Sequence, residues 1–140
     1  MRTGYRSPAE GRGVLGSVLE RVEGDARVGP VLKASRLRER LRLTDLGLTM
    51  RVSASSDPAR FIDWSFASGG EPAALSMSMD SGFANRWLQG RDSIAVAIAR
   101  GQVRVSGDAG AALTHLPAMR LIAEHYLDVI RGEYPHLVVA

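Results

Sequence analysis

The sequence predicts an α+β fold in which helices cover one face of a sheet of about four or five strands. Through the middle of the chain apolar residues alternate with polar ones, which is typical of strands with one buried face. Near both ends apolar residues recur every three or four positions, which is typical of amphipathic helices. Between 88 and 108, glycines divide the chain into a turn, a short helix, a second turn and a strand.

Two helices are predicted before the first strand. Ser7 can cap a helix whose first position is Pro8, and the apolar spacing that follows carries this helix to about Glu23. A second helix is expected to begin at Pro30 and to continue to about Arg40.

Three strands are predicted next, at 46–52, 62–66 and 75–79, because apolar and polar residues alternate in each of them. Short loops rich in serine, glycine, aspartate and proline separate them. Strands joined by such loops predict an antiparallel meander.

The last third of the chain predicts helices around one further strand. We expect short helices at 82–89 and 93–99 and a strand at 102–106. A helix from about 109 should run into Pro117, where the missing N–H group forces a kink or a restart. The final helix, 117–130, has a clear apolar face.

Composition excludes several classes of protein. The chain has 140 residues, enough for one domain with a sizeable core, and it has no cysteine, which rules out disulfides and thiolate chemistry. Apolar runs stay well short of the roughly 20 residues that cross a bilayer, and the first residues lack the apolar block of a signal peptide. We therefore expect a cytoplasmic protein.

Motifs that would indicate an enzyme or a metal site are weak. The pattern G-x-G-x-x-G at 11–16 follows no strand, so it does not predict a dinucleotide site. The histidines, His115, His125 and His136, do not have the spacing of a zinc site, and no G-x-S-x-G elbow occurs. The sequence predicts no cofactor, no metal and no catalytic residue.

Arginines alternate with leucines just before the predicted sheet, at Arg36, Arg38, Arg40 and Arg42. Glu39 interrupts the run and no aromatic residue accompanies it, so nucleic acid is not an expected partner. The favoured interpretation is a solvated, polar helix face leading into the sheet. Transient contact with an anionic membrane surface is the functional alternative.

Methionines and aromatic residues are the remaining candidates for a functional site. Met77 and Met79 share a strand face, and Met50 and Met119 are expected to border the same space. Methionine is flexible and polarizable, which suits a cavity for an irregular apolar ligand. Plain core packing explains the same pattern, and periodicity alone favours it.

The segment 89–113, QGRDSIAVAIARGQVRVSGDAGAAL, resembles the sterol carrier protein type-two family, the sterol-transfer domain. The resemblance extends upstream to Leu41 and downstream to about Ile130. The matching positions are Gly90, Ala97, Gly101, Val103, Val105, Gly107 and Asp108.

The resemblance implies a five-stranded, mostly antiparallel sheet covered on one face by helices, with an apolar tunnel between the two layers. It implies one domain over 1–140, with a helical extension at 1–30, a core at 31–131 and a tail at 132–140. The tunnel lining that it implies consists of Trp64, Phe66, Met77, Met79, Phe83, Trp87, Ile94, Ile98, Leu113, Leu116, Met119 and Ile122.

The function implied is binding or transfer of a lipid, such as a sterol or a fatty acyl chain, without catalysis. Exchange of the ligand is expected to need a transient opening at 82–90 or at Pro117. An interaction or dimerisation module with the same fold and a filled core is the alternative, and a homodimer is an open expectation in both cases. An enzyme that uses His115 or His125 is a third hypothesis.

Overall fold

A computed structural model describes residues 4–70, 72–108, 110 and 116–139, with only the backbone at 116 and 117. Helices pack on one face of a single five-stranded sheet, which confirms the predicted α+β class. The elements are α1 (Pro8–Glu23), α2 (Gly29–Ala34), β1 (Arg38–Leu43), β2 (Leu48–Ala54), β3 (Ile62–Ser65), β4 (Leu75–Met79), α3 (Ser81–Leu88), α4 (Ile94–Ala99), β5 (Arg104–Gly107), α5 (Leu116–Glu133) and a 3₁₀ turn (Pro135–Leu137). The helix expected between 109 and 117 lies almost wholly outside the described residues.

The strands lie in the order β3-β2-β1-β4-β5, and all neighbours are antiparallel except β1 and β4. The expected meander is therefore wrong for its third strand, because β4 pairs with β1 in parallel and not with β3. Alternation shows which face of a strand is buried, but it does not specify the neighbouring strand.

The second helix is shorter than expected, and the arginine run is a strand. Helix α2 ends at Ala34, and the backbone then turns at Arg36, whose φ is 55°. This left-handed conformation commonly ends helices, but glycine usually occupies it. Because Arg36 gives no such signal, the predicted end near Arg40 is wrong, and 38–43 forms β1.

Local capping explains where several helices begin. The Glu10 amide donates to Ser7 Oγ at 3.1 Å, which confirms the expected start of α1. Asp80 accepts from the Phe83 amide at 2.7 Å at the start of α3. Ser81 donates from both its backbone and its hydroxyl to Asp45 in the β1–β2 turn, at 2.8 and 2.6 Å. These bonds fix α3 against one end of the sheet.

A buried hydrogen-bond network joins both ends of the described chain to α3. Tyr126 of α5 donates its hydroxyl proton to Asn85 Oδ1 at 2.7 Å, and its oxygen lies 2.8 Å from the Tyr5 hydroxyl. The side-chain amides of Asn85 and Gln89 both donate to the Leu137 carbonyl at 2.9 Å. The network holds α3 and α5 in a fixed relation, and these two helices border the site described next.

Candidate functional site

The inner face of the sheet is apolar because of the register of its strands. Leu41 at the centre of β1 stands opposite Met50 of β2 and beside Met77 of β4. Side chains of directly paired residues point to the same face, so these three meet below the helices. Val52 and Trp64, another pair, extend the same face toward the edge strand β3.

Helices close this face on the other side. The apolar stripe of α1 lies over the sheet, and α5 packs along α1. Helix α3 brings Trp87 and Leu88 to the end of the space, and α5 brings Met119 and Ile122. The residues of α1 that face the space are Leu15, Val18, Leu19 and Val22.

A cavity of about 120 Å³ remains between the two layers. It is close in size to an engineered apolar cavity of about 150 Å³ that binds benzene, and smaller than the roughly 300–1,000 Å³ of typical ligand pockets. Met50, Met77 and Met119 lie on its wall, and unbranched thioether side chains can move aside at low cost. The cavity as it stands accommodates a short apolar group, and a longer chain requires these methionines to shift.

An open groove of about 350 Å³ adjoins the cavity at the surface. It lies between the end of α3 and the start of α5, with Gly90 and Asp92 on its rim. Trp87, Leu88 and Met119 belong to both the groove and the cavity, so these side chains separate the interior from solvent.

The twelve residues of the expected lining are distributed between the cavity and other places. Met77, Trp87, Met119 and Ile122 line the cavity. Leu113 lies outside the described residues, as does the side chain of Leu116.

Three residues on the sheet side have other surroundings. Met79 is buried in the core, paired with Leu43. The guanidinium of Arg60 lies 5.7 Å from the centre of the Trp64 ring, a cation–π contact at the sheet edge. The Phe66 ring faces Gly16 of α1, where an added Cβ would lie 3.9 Å from it.

Three residues on the helix side also lie away from the cavity wall. Phe83 and Ile94 are half-buried and pack against the core. Ile98 on α4 is 43% exposed and therefore faces solvent.

Much of the wall comes from residues that the resemblance did not include. Helix α1 was expected to be an extension outside the resembling region, yet it supplies one side of the cavity. Its spacing of apolar residues already predicted a buried face, and only the surface that it covers was unknown. Leu32, Leu37 and Leu41 complete the wall between α2 and β1.

Two charged residues belong to the cavity lining, Glu39 and Arg40 of β1. Alternation places the Glu39 side chain on the inner face and that of Arg40 on the opposite face.

The histidine of the catalytic hypothesis, His125, takes part in a surface ion-pair cluster. Its Nε2 atom lies 2.7 Å from Asp25 Oδ2, and Arg21 Nε donates to its Nδ1 atom at 3.3 Å. Hydrogen bonds from the side chain and the amide of Arg27, and then the contact with His125, hold the pKa of Asp25 well below its usual range. The cluster links the α1–α2 turn to α5, and His115 lies outside the described residues.

Within the described ranges, no three histidine, aspartate or glutamate side chains come together as a metal site would require. None of the described helices combines the length and the apolar character needed to cross a bilayer.

Solved structures place this arrangement in a known fold. The ubiquinone synthesis protein UbiJ-SCP2 is 14% identical, with a TM-score of 0.60 over 89% of this chain and 97% of that one. A conserved hypothetical protein of Thermus thermophilus, described as a possible sterol carrier protein, is 13% identical, with a TM-score of 0.61 over 84% and 86%. The chain has the sterol carrier protein 2 fold.

Part of a larger protein also resembles this chain. The stereoselective inverting sec-alkylsulfatase Pisa1 of Pseudomonas sp. is 12% identical, with a TM-score of 0.52 over 60% of this chain. The chain spans 13% of the length of that sulfatase. No protein-family model matches the sequence, and no curated protein matches it.

Proposed function

We propose that this chain is a lipid-binding domain that holds the apolar part of its ligand between the sheet and the helices, without catalysing a reaction. The observation that carries the proposal is the apolar cavity bordered by three methionines in a chain with the sterol carrier fold. The two solved structures named above that match most of the chain both carry a sterol carrier designation.

The free energy for binding comes from removing the ligand's hydrocarbon from water. Each buried methylene contributes about 0.8 kcal/mol, so ten of them contribute roughly 8 kcal/mol. A micromolar dissociation constant needs about that much net free energy, so a ligand of ten or more methylenes is required once ordering costs are included. The 120 Å³ cavity is too small for that length, so binding has to displace side chains. Movement of Met50, Met77 and Met119 provides the additional space.

Exchange of the ligand follows the groove between α3 and α5. Trp87 is half-buried and stands between the groove and the cavity, so its rotation joins the two spaces. Trp87 belongs to the segment 82–90, where the sequence predicts a transient opening for the ligand. Transient contact with an anionic membrane surface brings the protein close to the source of its ligand in this proposal. A homodimer and a cytoplasmic location stay predictions.

Displacement of a fluorescent fatty acid, combined with native mass spectrometry of the purified protein, tests the proposal. Wild type should bind at micromolar concentration and carry lipid after gentle purification. Val18→Phe places a ring in the cavity and should weaken binding at least tenfold. Val96→Phe makes the same change at a residue that is 47% exposed and should bind as wild type does.

Two results would count against the proposal. If folded wild type shows no binding and no co-purified lipid, the interaction module with a filled core replaces it. If Val18→Phe and Val96→Phe bind equally well, the ligand lies outside this cavity.

A further inference from the structure

The outer face of the sheet, opposite the helices, carries a concentration of arginines. Alternation places Arg38, Arg40 and Arg42 of β1, Arg51 of β2 and Arg104 of β5 on this face. All are exposed except Arg51, which is half-buried. The positions between them are mostly serines, which are short, so the guanidinium groups extend farthest from the sheet.

The strand register brings these charges close together. Arg40 stands directly opposite Arg51, a like-charge pair that destabilises a sheet. Ser78 lies between Arg42 on one side and Arg104 on the other. Among the ion pairs of the described residues, none involves an arginine of this face. A bound anion would relieve the repulsion.

A cleft of about 240 Å³ lies at one end of the face. Arg38 of β1 and Arg51 of β2 border the cleft, at positions that are diagonal to each other across the two strands. Ser53 pairs with Arg38, and Ser65 pairs with Arg51. Two guanidinium groups and two hydroxyls are a donor set that suits a phosphate group, because guanidinium binds phosphate through paired N–H groups.

Two further features shape this cleft. Two acidic residues, Glu39 and Asp63, also line it. Alternation points the Glu39 side chain to the inner face, and the Asp63 carboxylate accepts from Arg60 Nε at 3.0 Å, so its charge is partly balanced. Pro72 and Ala73, just before β4, line the rim, and Gly70 approaches the Arg51 guanidinium. An added Cβ at Gly70 would lie 3.4 Å from Arg51 Nε.

We propose that the outer sheet face docks onto an anionic phospholipid bilayer, with one phosphate headgroup held in the cleft between Arg38 and Arg51. The remaining arginines contact neighbouring headgroups. The inference rests on the proposed function in one respect, since a bilayer is the source of a lipid ligand. It places that contact on the face opposite the cavity, so docking does not cover the groove beside Trp87.

A bilayer suits this face better than nucleic acid does. Proteins that bind single strands on a sheet stack bases on aromatic side chains, and no side chain that alternation points outward from the five strands is aromatic. Trp64 borders the cleft, but it pairs with Val52 on the inner face. A duplex is read by an element that enters a groove, and an open sheet face presents no such element. A broad array of cations matches the broad array of phosphates at a membrane surface.

Vesicle co-sedimentation at low and high salt tests the proposal. Full-length protein is mixed with phosphatidylcholine vesicles that contain or lack phosphatidylglycerol. Each arginine near an anionic surface strengthens binding about fivefold, so Arg38→Gln/Arg51→Gln should weaken binding to the anionic vesicles about 25-fold. The control Arg12→Gln/Arg131→Gln removes two exposed helix arginines and should lose less than about threefold, since they lie away from the face.

Fatty-acid binding is measured on the same samples, so that a failed docking site and a failed cavity are distinguishable. Arg38→Gln/Arg51→Gln should keep wild-type fatty-acid affinity, which also shows that it is folded. If the double variant does not fold, the single variants Arg38→Gln and Arg51→Gln should each weaken vesicle binding about fivefold.

Several outcomes would overturn the docking proposal. One is an equal loss of vesicle binding in Arg38→Gln/Arg51→Gln and in the control pair. Another is absence of binding to phosphatidylglycerol vesicles at low salt. Tighter binding of polyuridylic acid through the same two arginines would replace the bilayer with nucleic acid. Saturable binding of inorganic phosphate without vesicle binding would replace it with a free-phosphate site.

Discussion

Replacing Tyr126 by phenylalanine removes one oxygen atom from the buried network that connects the chain ends with α3. The Tyr126 hydroxyl is fully buried, and it donates to Asn85 at 2.7 Å. Because its proton is used there, the Tyr5 hydroxyl is the donor in the 2.8 Å contact between the two tyrosines. The substitution therefore leaves Tyr5 with a buried O–H group and no acceptor.

The expected cost has two parts. A net hydrogen bond contributes about 1 kcal/mol, and an unsatisfied buried hydroxyl costs about 1–3 kcal/mol. Asn85 Oδ1 keeps its hydrogen bond from Gln89 Nε2 at 2.9 Å, so no further penalty arises there. We expect Tyr126→Phe to lower the free energy of unfolding by about 2–4 kcal/mol, and the melting temperature of a chain of this size by about 6–16 °C.

Urea unfolding followed by circular dichroism measures this change. Tyr134→Phe is the matched control, because the Tyr134 hydroxyl makes no hydrogen bond that involves the described residues, and it should change stability by less than about 0.5 kcal/mol. A Tyr126→Phe variant within about 0.5 kcal/mol of wild type would mean that the network contributes little to stability. A similar loss in both variants would mean that the loss comes from packing around tyrosines in general.

Four further predictions concern pH, backbone geometry and the cavity. Burial raises the pKa of both Tyr126 and Tyr5, so these groups stay protonated in the fold, whereas tyrosines of the unfolded chain ionise near pH 10. Stability should therefore fall above that pH by up to about 1.4 kcal/mol per pH unit for each of the two groups, and less steeply in Tyr126→Phe, which keeps only Tyr5. Asp25 has a lowered pKa, so its stabilising contribution is present above pH 4 and lost in stronger acid; Asp25→Asn should flatten acid unfolding curves in that range. Gly107 has φ near 100°, and a Cβ added there would meet the Ala74 carbonyl, so Gly107→Ala should lower the free energy of unfolding by about 3 kcal/mol. Gly47 also has a positive φ, but nothing lies within 4 Å of an added Cβ, so Gly47→Ala should lower it by only about 1 kcal/mol; thermal unfolding measures both. Trp87→Ala should join groove and cavity, and stopped-flow measurements should show fatty acid associating several-fold faster; an unchanged rate would place the entrance elsewhere.

The fold class followed from the sequence because its periodicities are strong and local. The alternation at 75–79 predicted β4 with its observed bounds, and Ser7 with Pro8 predicted the start of α1. The end of α2 could not be predicted from the sequence, because Arg36 adopts a positive φ that an arginine side chain gives no reason to expect. The same error placed the arginines of β1 on a helix, and so concealed the charged face of the sheet.

The candidate site could be predicted from the sequence less well than the fold class, because a cavity depends on how elements pack and not on their periodicity. The pattern in α1 predicted a buried face, but it did not show that this face lies over Met50 and Met77. Met79 has the same alternation as Met77, and it lies in the filled part of the core. Whether a buried methionine borders empty space or another side chain depends on a few ångströms of helix position.

The parallel pairing of β1 with β4 has a consequence for how the protein is synthesised. The hairpin of β1 and β2 involves neighbouring segments, so it can form early, whereas β4 joins β1 only after the intervening chain has left the ribosome. Until then one edge of β1 exposes unpaired N–H and C=O groups to other chains. We expect the alternating arginines along that strand to repel a second copy during this interval and so to reduce aggregation of the nascent protein.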